Sequence, residues 1–591
     1  MATKYVKANA DSHHPPSIHL HSNNSTIQNS EEQGRQGGKS SSDSFPCWYS
    51  PETGIYRSTH PSVQLPTDPF LDVVSFIFSH KHGGASSLVD SQSGFSISYP
   101  ELYSLVKSMA GGLHKMGVSQ GDAVLILLPN SIHFPVIVLS VLSLGAIVVP
   151  MNPLSTLFEV KKQALDGMNN ICLAFSTLDR AEEFSALGIP VVGLPESSNL
   201  DFPAGSVFGD LIRSDLQRTH KPKIKQEDTA AILFSSGTTG ACKGVVLTHR
   251  NFIAMVELFL RFEASQYDYD SRKNVYLDVV PMFHVYGLSM FVMGLLSLGS
   301  TVVVMGRCDG DEVVRAIERF GVTHFPIAPP LLRTLTLKAK AATAGGINRV
   351  VMKSMKQVSC GAAPTSLAWI QDFVQTLPHI DFIQGYGMTE STAVGTRGYN
   401  TAKLHNYSSV GLLAPNMEAK VVDWNTSLPS PPNCKGELWL RGPSIMKGYQ
   451  NNIEATKSTL DDEGWLHTGD IVYFDCEGYL YVNDRLKEII KYKGFQIAPA
   501  DLEAVLISHP DIIDAGVTSA SEDEVGEIPV AFVVKRNNSE LSEADIIAFV
   551  AQQVAPYKKV RRVYFTTSIP KSPTGKILRK EMRKFMRTSK L

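Results

Sequence analysis

The run Leu233-Phe234-Ser235-Ser236-Gly237-Thr238-Thr239-Gly240-Ala241-Cys242-Lys243-Gly244 puts three glycines, four hydroxyls and a lysine at one turn. Backbone N–H groups, O–H donors and a positive charge in that arrangement suit a polyphosphate. A β-type run, Ala230–Phe234, enters the turn and another, Val245–His249, leaves it. The usual nucleotide P-loop is excluded, because Lys243 follows Cys242 instead of glycine, no Ser or Thr follows it, and the exit is a strand. Four more segments carry groups of the same kind. Pro281–Gly287 sets His284 beside Tyr286, and Ser359–Pro364 offers small residues past which a flat ring could approach the backbone. Gln384–Glu390 joins paired glycines, an aromatic, a hydroxyl and a carboxylate. Trp465–Asp470 ends in a carboxylate after a tight turn, the acceptor that a pair of ribose hydroxyls needs. Two lysine-bearing blocks follow, Asp484–Gln496 and Pro570–Lys576.

Taken in order, these segments closely resemble the signature motifs of the adenylate-forming superfamily. That group includes acyl-CoA synthetases, 4-coumarate–CoA ligases, beetle luciferases and peptide-synthetase adenylation domains. The similarity covers roughly residues 50–591 and is greatest to plant 4-coumarate–CoA ligase-like proteins of the peroxisomal branch. It is supported by Gly436–Tyr449, Leu486–Gln496 and Val554–Lys558. The resemblance implies an ATP-dependent acid–CoA ligase that forms an acyl-adenylate and then a thioester, using ATP, coenzyme A and Mg2+. It also implies roles. Ser235, Ser236, Gly237, Thr238, Thr239 and Lys243 would hold the phosphates, with Thr239 and Glu390 facing magnesium. Gln384, Gly385, Tyr386 and Thr389 would take the adenine and α-phosphate; Asp470 and Arg485 would take the ribose. Lys576 is expected to hold the carboxylate and α-phosphate during adenylation, and Lys491 and Gln496 to face the adenylate. Lys487 would be the hinge, and Arg307, Lys493 and Gly494 would meet coenzyme A. His284, Tyr286, Met290, Ser359, Ala362, Gly385, Val394 and Arg397 would line the acyl site. Met290, Arg397, Gly395 and Ser359 depart from the residues typical of coumarate ligases, and Arg307 replaces a lysine. The acid is therefore left open between aryl-alkenoic acids, fatty acids and oxo-cyclopentenyl jasmonate precursors. A luciferase-like monooxygenase, or a fatty acyl-CoA synthetase without aromatic substrates, is the alternative.

Positioning such groups takes a large scaffold. At 591 residues, 43% hydrophobic and 19% charged, the chain should hold more than one core. Alternating β-type and helix-type runs, such as Thr301–Met305, Asp311–Phe320 and His324–Ile327, predict stacked α/β subdomains with largely parallel sheets. Short strands at Ala419–Val422 and Gly436–Arg441 suggest a small β-barrel, and the chain restarts after Asp484 as a small mobile α+β C-terminal domain. The expected organisation is a disordered Ser/His/Asn-rich tail at 1–48, an adenylating domain at 49–484, a hinge at 485–487 and a C-terminal domain at 488–588. A net charge of −2 gives no reason to bind nucleic acid. The apolar stretches near 124–150 and 276–305 are broken by Pro129, Pro135, Gly287 and Gly294, and so read as strand–helix–strand units without a membrane span. Seven unpaired-looking cysteines point to a reducing compartment. Ser589-Lys590-Leu591 matches a peroxisomal address read by an import receptor. The expected state is a monomer in the peroxisome acting on a small carboxylic acid.

Overall fold

The computed structural model describes residues 47–588, apart from 81–85, 166, 169, 198, 215–221, 236–242, 268–269, 345–351, 364, 401–404, 486–487, 493–494, 523–525, 538, 555 and 573–574. Residues 1–46 of the expected tail, the phosphate-turn residues Ser236, Gly237, Thr238 and Thr239, and Lys487, Lys493, Gly494 and Ser589–Leu591 lie outside the described residues. Trp48, which the expected tail includes, is instead buried in the main core and stacks on Tyr56.

Two large sheets carry the body. A seven-stranded sheet runs Gly448–Tyr449, Lys243–Thr248, Thr229–Ser235, Ile147–Pro150, Ala123–Leu127, Ile171–Thr177, Val191–Leu194. A nine-stranded sheet has a parallel centre, from Asp381–Tyr386 through Gln357–Cys360, His324–Ile327, Val275–Asp278 and Thr301–Val304 to Ser86–Asp90. Its ends are antiparallel. Parallel strands need crossovers, and the crossover helices cover both faces of such sheets, which accounts for continuous apolar runs such as the fully buried Ala123–Leu127. The expected strand–helix–strand unit is present as Ala123–Leu127, His133–Ser143 and Ile147–Pro150. The helix spans 11 residues, about 16 Å, half of what a bilayer core demands. It packs instead against the helices Tyr99–Lys115 and Val73–Ser79. No described helix is long and apolar enough to cross a membrane.

Local signals set the ends of these elements. Tyr99–Lys115 starts at a capping box in which the Ser98 hydroxyl and the Glu101 carboxylate satisfy each other's backbone N–H. Gly310–Phe320 starts where the Asp309 carboxylate accepts from Asp311 N and Glu312 N, and stops at Gly321 with φ +61°. The exit run from the phosphate turn ends one residue before expected. The Thr248 hydroxyl accepts from Asn251 N and begins a helix at His249.

A six-stranded antiparallel sheet runs Tyr49–Ser50, Ile55–Arg57, Glu418–Val422, Gly436–Arg441, Leu466–Phe474, Leu480–Arg485. Where a small barrel is expected, the described strands keep an open order. Its edge strand Tyr49–Ser50 is two residues long and turns back at Pro51, too short to close on the far edge. The C-terminal domain has a five-stranded sheet built on the long hairpin Ile512–Glu522/Gly526–Lys535, with Arg562–Phe565 added in parallel. Its cores are its own: every buried residue of the two clusters around Leu502, Val517, Val530 and Met582 lies beyond residue 489.

Candidate active site

Ser235 and Lys243 face each other across the hairpin that carries the phosphate turn. The Ser235 hydroxyl donates to Glu390 Oε1 at 2.9 Å, and the Tyr449 hydroxyl donates to the same oxygen at 3.0 Å. Lys243 Nζ lies 4.7 Å from the centre of the Tyr449 ring. Tyr449 comes from the edge strand that pairs with Lys243–Thr248, so one sheet edge collects a cation, two hydroxyls and a carboxylate. Glu390 is only 5% exposed. Burial and the neighbouring Glu390 carboxylate both push the Tyr449 phenol up, so it stays protonated and continues to donate.

Glu390 sits in a short 3-10 turn, Thr389–Ser391, after the strand Asp381–Tyr386. The turn is tight because the chain doubles back, pairing Tyr386 with Thr396 and Gly385 with Arg397. A Cβ at Gly387 would stand 2.3 Å from the Ala393 carbonyl oxygen, so only glycine fits there. Thr392 and Ala393 then follow with φ of 54° and 63°, conformations that cost an L-residue about 1 kcal/mol or more each. The strand end delivers the Tyr386 hydroxyl to Asp470, to which it donates at 2.6 Å. Asp470 is 4% exposed and stands opposite Arg485 in the ladder. Glu437 fixes the turn before it, accepting from Gly469 N at 2.9 Å.

Ser235, Lys243, Tyr449, Glu390, Tyr386 and Glu437 share one cavity of about 990 Å³, whereas Asp470 is not part of its lining and reaches it through the Tyr386 hydroxyl. Ser235, Lys243, Tyr449, Thr389 and Glu390 lie at its polar end, and Lys571, Ser572 and Lys576 reach it from the C-terminal domain. The Lys571–Ile577 turn is closed by an antiparallel bridge and by Lys576 N donating to Ser572 Oγ at 3.1 Å. Contacts among the described residues that seat this domain on the body include one hydrogen bond and one close backbone approach. Arg333 Nη1 donates to the Ile513 carbonyl at 2.6 Å, and a Cβ at Gly575 would lie 2.8 Å from Pro330 Cδ.

The other end is aromatic. Phe259, His284, Tyr286, Ser359, Gly361 and Arg397 line it. Burial holds the His284 imidazole near pKa 4 and pushes the Tyr286 phenol up to about 12, so both are neutral at physiological pH. His284 Nδ1 accepts from Tyr286 N at 3.4 Å. Gly361 packs next to the tyrosine ring, whose Cε1 a Cβ there would meet at an ordinary contact distance of 3.9 Å. Ala362 holds φ at 70° beside it.

Of the residues singled out in the sequence, Ser235, Lys243, His284, Tyr286, Ser359, Ala362, Gly385, Tyr386, Thr389, Glu390, Arg397 and Lys576 line the cavity. Gln384 turns its amide away to donate to the Tyr407 carbonyl. Met290 and Val394 belong to the main core and do not line the cavity, being 2% and 0% exposed. Met290 lies in the helical stretch Leu288–Gly294, buried on every side, so residue type could not tell which side chains face the substrate. Arg307 is exposed and lies away from this cavity. Arg485, Lys491 and Gln496 are placed by backbone only, with Lys491 opposite Gln496 in a hairpin. The sequence did not flag Phe259, Glu263, Glu437 or Tyr449 as site groups. Tyr449 ends a phrase that carried the resemblance, which was the signal available for it.

Comparison with known proteins agrees with this arrangement. Residues 78–450 match the model of the family described as AMP-binding enzyme, and residues 501–576 match AMP-binding enzyme C-terminal domain. The chain is 59% identical over 547 residues to 4-coumarate–CoA ligase-like 6 of Arabidopsis thaliana, covering 92% of this chain and 95% of that one. It is 43% identical to peroxisomal OPC-8:0-CoA ligase 1 of Arabidopsis thaliana, covering 89% and 95%. Its fold is that of ATP-bound MatB from Rhodopseudomonas palustris (TM-score 0.77, 23% identity, 87% of this chain and 99% of the other).

Proposed function

This chain belongs to the family of AMP-binding enzymes and is an acid–CoA ligase using ATP and coenzyme A, and we propose that its acid is an aryl-alkenoic or fatty-acid-like carboxylate. What carries the proposal is the single cavity that joins a lysine-rich polar end to an aromatic end. A carboxylate is a poor electrophile, and here it must also meet another anion. In the first half-reaction the substrate carboxylate oxygen attacks the α-phosphorus of ATP. An acyl O–P bond forms, the bond to the β-phosphate breaks, and pyrophosphate leaves. No nucleophilic side chain is needed; the protein screens and positions charge. Lys243 and Lys576 are the cations that we assign to this task, because they enter the same cavity from the body and from the C-terminal domain. Tyr386, anchored by Asp470, is assigned to the adenine, and Asp470 to the ribose.

In the second half-reaction the thiol sulfur of coenzyme A attacks the acyl carbonyl. The C–S bond forms, the C–O bond to AMP breaks, and the thiol proton passes to solvent. Lys576 must then withdraw to admit the thiol, so the C-terminal domain swings about residues 485–487. Magnesium fits the polar end. Glu390 is a buried carboxylate whose Oε1 serves two hydroxyls and whose Oε2 has no donor among the described residues. One carboxylate completed by substrate phosphates and water is how Mg2+ is usually held, and no cluster of three or more His, Cys, Asp or Glu exists among the described residues to cage it otherwise. Bound there, the ion would neutralise phosphate charge.

Lys576→Ala is expected to lower adenylate formation about a hundredfold or more. It should leave thioester formation from supplied acyl-adenylate near normal. Pyrophosphate release and thioester formation, assayed separately over a panel of aryl and aliphatic acids, check both points; normal adenylation by the variant would sink the assignment. We place the enzyme in the peroxisome, supported by Ser589-Lys590-Leu591 and by the peroxisomal ligase that it resembles. Deleting residues 589–591 from an N-terminally tagged chain should leave it cytosolic by fluorescence microscopy.

A further inference from the structure

The aromatic end of the cavity stops at an ion pair. Arg397, opposite Gly385 in the hairpin, pairs through Nε with Glu263, from the short helix Phe262–Ser265. The two side chains are 12% and 15% exposed. The guanidinium also lies 5.2 Å from the centre of the Phe259 ring. Arg397 lines the cavity and Glu263 stands behind it. Behind them is a polar layer. Gln357 Nε2 donates to the Tyr267 hydroxyl at 2.7 Å, and Asn400 Nδ2 donates to Asp381 Oδ1 at 2.7 Å.

A wall built for a plain hydrocarbon tail has no use for this pair. Removing water from two charges is costly, and a terminal methyl returns nothing for it. The Arg397 Nη groups have no acceptor among the described residues, although the side chain faces the cavity. An acid that ended in hydrocarbon would strip water from those N–H groups and leave them unpaired, whereas an oxygen acceptor would satisfy them. The charge is already matched by Glu263, so a second carboxylate would add an uncompensated negative charge next to it.

We propose that Arg397, held by Glu263, is a specificity-determining residue that selects acids carrying a neutral oxygen acceptor at the end away from the reacting carboxylate. It rests on the acid–CoA ligase activity and on assigning this end of the cavity to the acyl group. Sites that hydrogen-bond a substrate group discriminate against analogues that lack it far better than apolar pockets discriminate by size.

The test compares octanoic, decanoic and dodecanoic acids with 7-oxooctanoic, 9-oxodecanoic and 11-oxododecanoic acids, scored as kcat/KM for thioester formation. At the chain length that fits, the oxo acid should be favoured about tenfold or more. Arg397→Met should abolish that preference by raising KM for the oxo acid well beyond any change it makes to KM for the plain acid. Arg397→Lys should keep part of it. Glu263→Gln should let decanedioic acid react about tenfold better than in the wild type. If Arg397→Met proves unstable, the double variant Glu263→Leu/Arg397→Met removes both charges together and tests the same loss. Turnover of cinnamic or plain fatty acids with no oxo preference, or an equal loss for both acids in Arg397→Met, overturns this inference alone. No pyrophosphate release with any acid overturns the underlying assignment of acid substrates as well.

Discussion

Tyr386 shows how one side chain can serve two tasks. Its ring lines the cavity while its hydroxyl donates to a buried carboxylate 84 positions further along the chain. A short hydrogen bond to an ionised acceptor contributes about 1.5–3 kcal/mol. Tyr386→Phe keeps the ring and loses the anchor. It should raise KM for ATP roughly tenfold with a smaller effect on kcat, read from ATP titrations of pyrophosphate release. His133 offers a pH prediction away from the site. It is 1% exposed and packs edge-on against Phe202 and Phe208, and burial lowers its pKa to about 4. The unfolded chain takes up that proton below about pH 6.5, and the folded chain refuses it until about pH 4. Protons bound only by the unfolded state make stability fall as pH drops through this window. His133→Leu should therefore lose less stability than the wild type between pH 7 and pH 5, by about 2 kcal/mol. Thermal melts of both proteins at the two pH values check it.

Arg579 ties together elements that the chain presents far apart. It opens the helix Arg579–Thr588, three residues after Lys576. Its guanidinium donates to Glu488 at 2.6 Å, to Glu503 at 2.7 Å and to the Val517 carbonyl at 2.8 Å. The residue following the expected hinge, a helix and a strand are thus fastened next to the loop that carries Lys576, the lysine that we assign to adenylation. Removing one partner from a buried charge cluster costs about 3–5 kcal/mol, because the remaining charges are stranded. Arg579→Met should destabilise the C-terminal domain by that order and slow adenylation with it. The loss should grow with pH. Burial lifts the Glu503 pKa to about 7 against the pull of Arg579, so at pH 6 the stranded carboxyl can still take a proton, while at pH 8 it is harder to neutralise. Limited proteolysis at pH 6 and pH 8 would show both the site and the sign.

For the molecule as a whole, the proposed two-step mechanism makes the seating of the C-terminal domain on the body the switch between half-reactions. Arg333, which also lies 5.5 Å from the centre of the Trp369 ring, bonds the Ile513 carbonyl, and the Gly575 backbone lies close to Pro330. An interface of this kind can open without breaking either core. Arg333→Ala should lower adenylation several-fold and leave thioester formation from supplied acyl-adenylate unchanged. Gly575→Ala should act in the same direction more strongly, since φ is +82° and the new Cβ would press on Pro330 in this orientation. Equal losses in both half-reactions would contradict this.

What this chain does was legible from local residue order. The phosphate turn and the Gln384–Glu390 segment are specific runs of glycine, hydroxyl and charge, whereas Asp470 in its glycine turn and Lys576 gain meaning only from their place in the order of segments that carries the family resemblance. Periodicity likewise gave the alternation of strand and helix, including Gly310–Phe320 and His324–Ile327 nearly to the residue. Which side chains face the substrate was decided only by the fold. Met290 and Val394 vanish into the core, while Arg397 and Phe259 from distant segments meet at the cavity wall and Tyr449 reaches back to Glu390. A helix buried on all sides has no preferred face in its sequence, and a contact between distant strands depends on how the sheets stack. That stacking is why the sequence names the reaction, while the residues that wall the cavity emerge only from the tertiary structure.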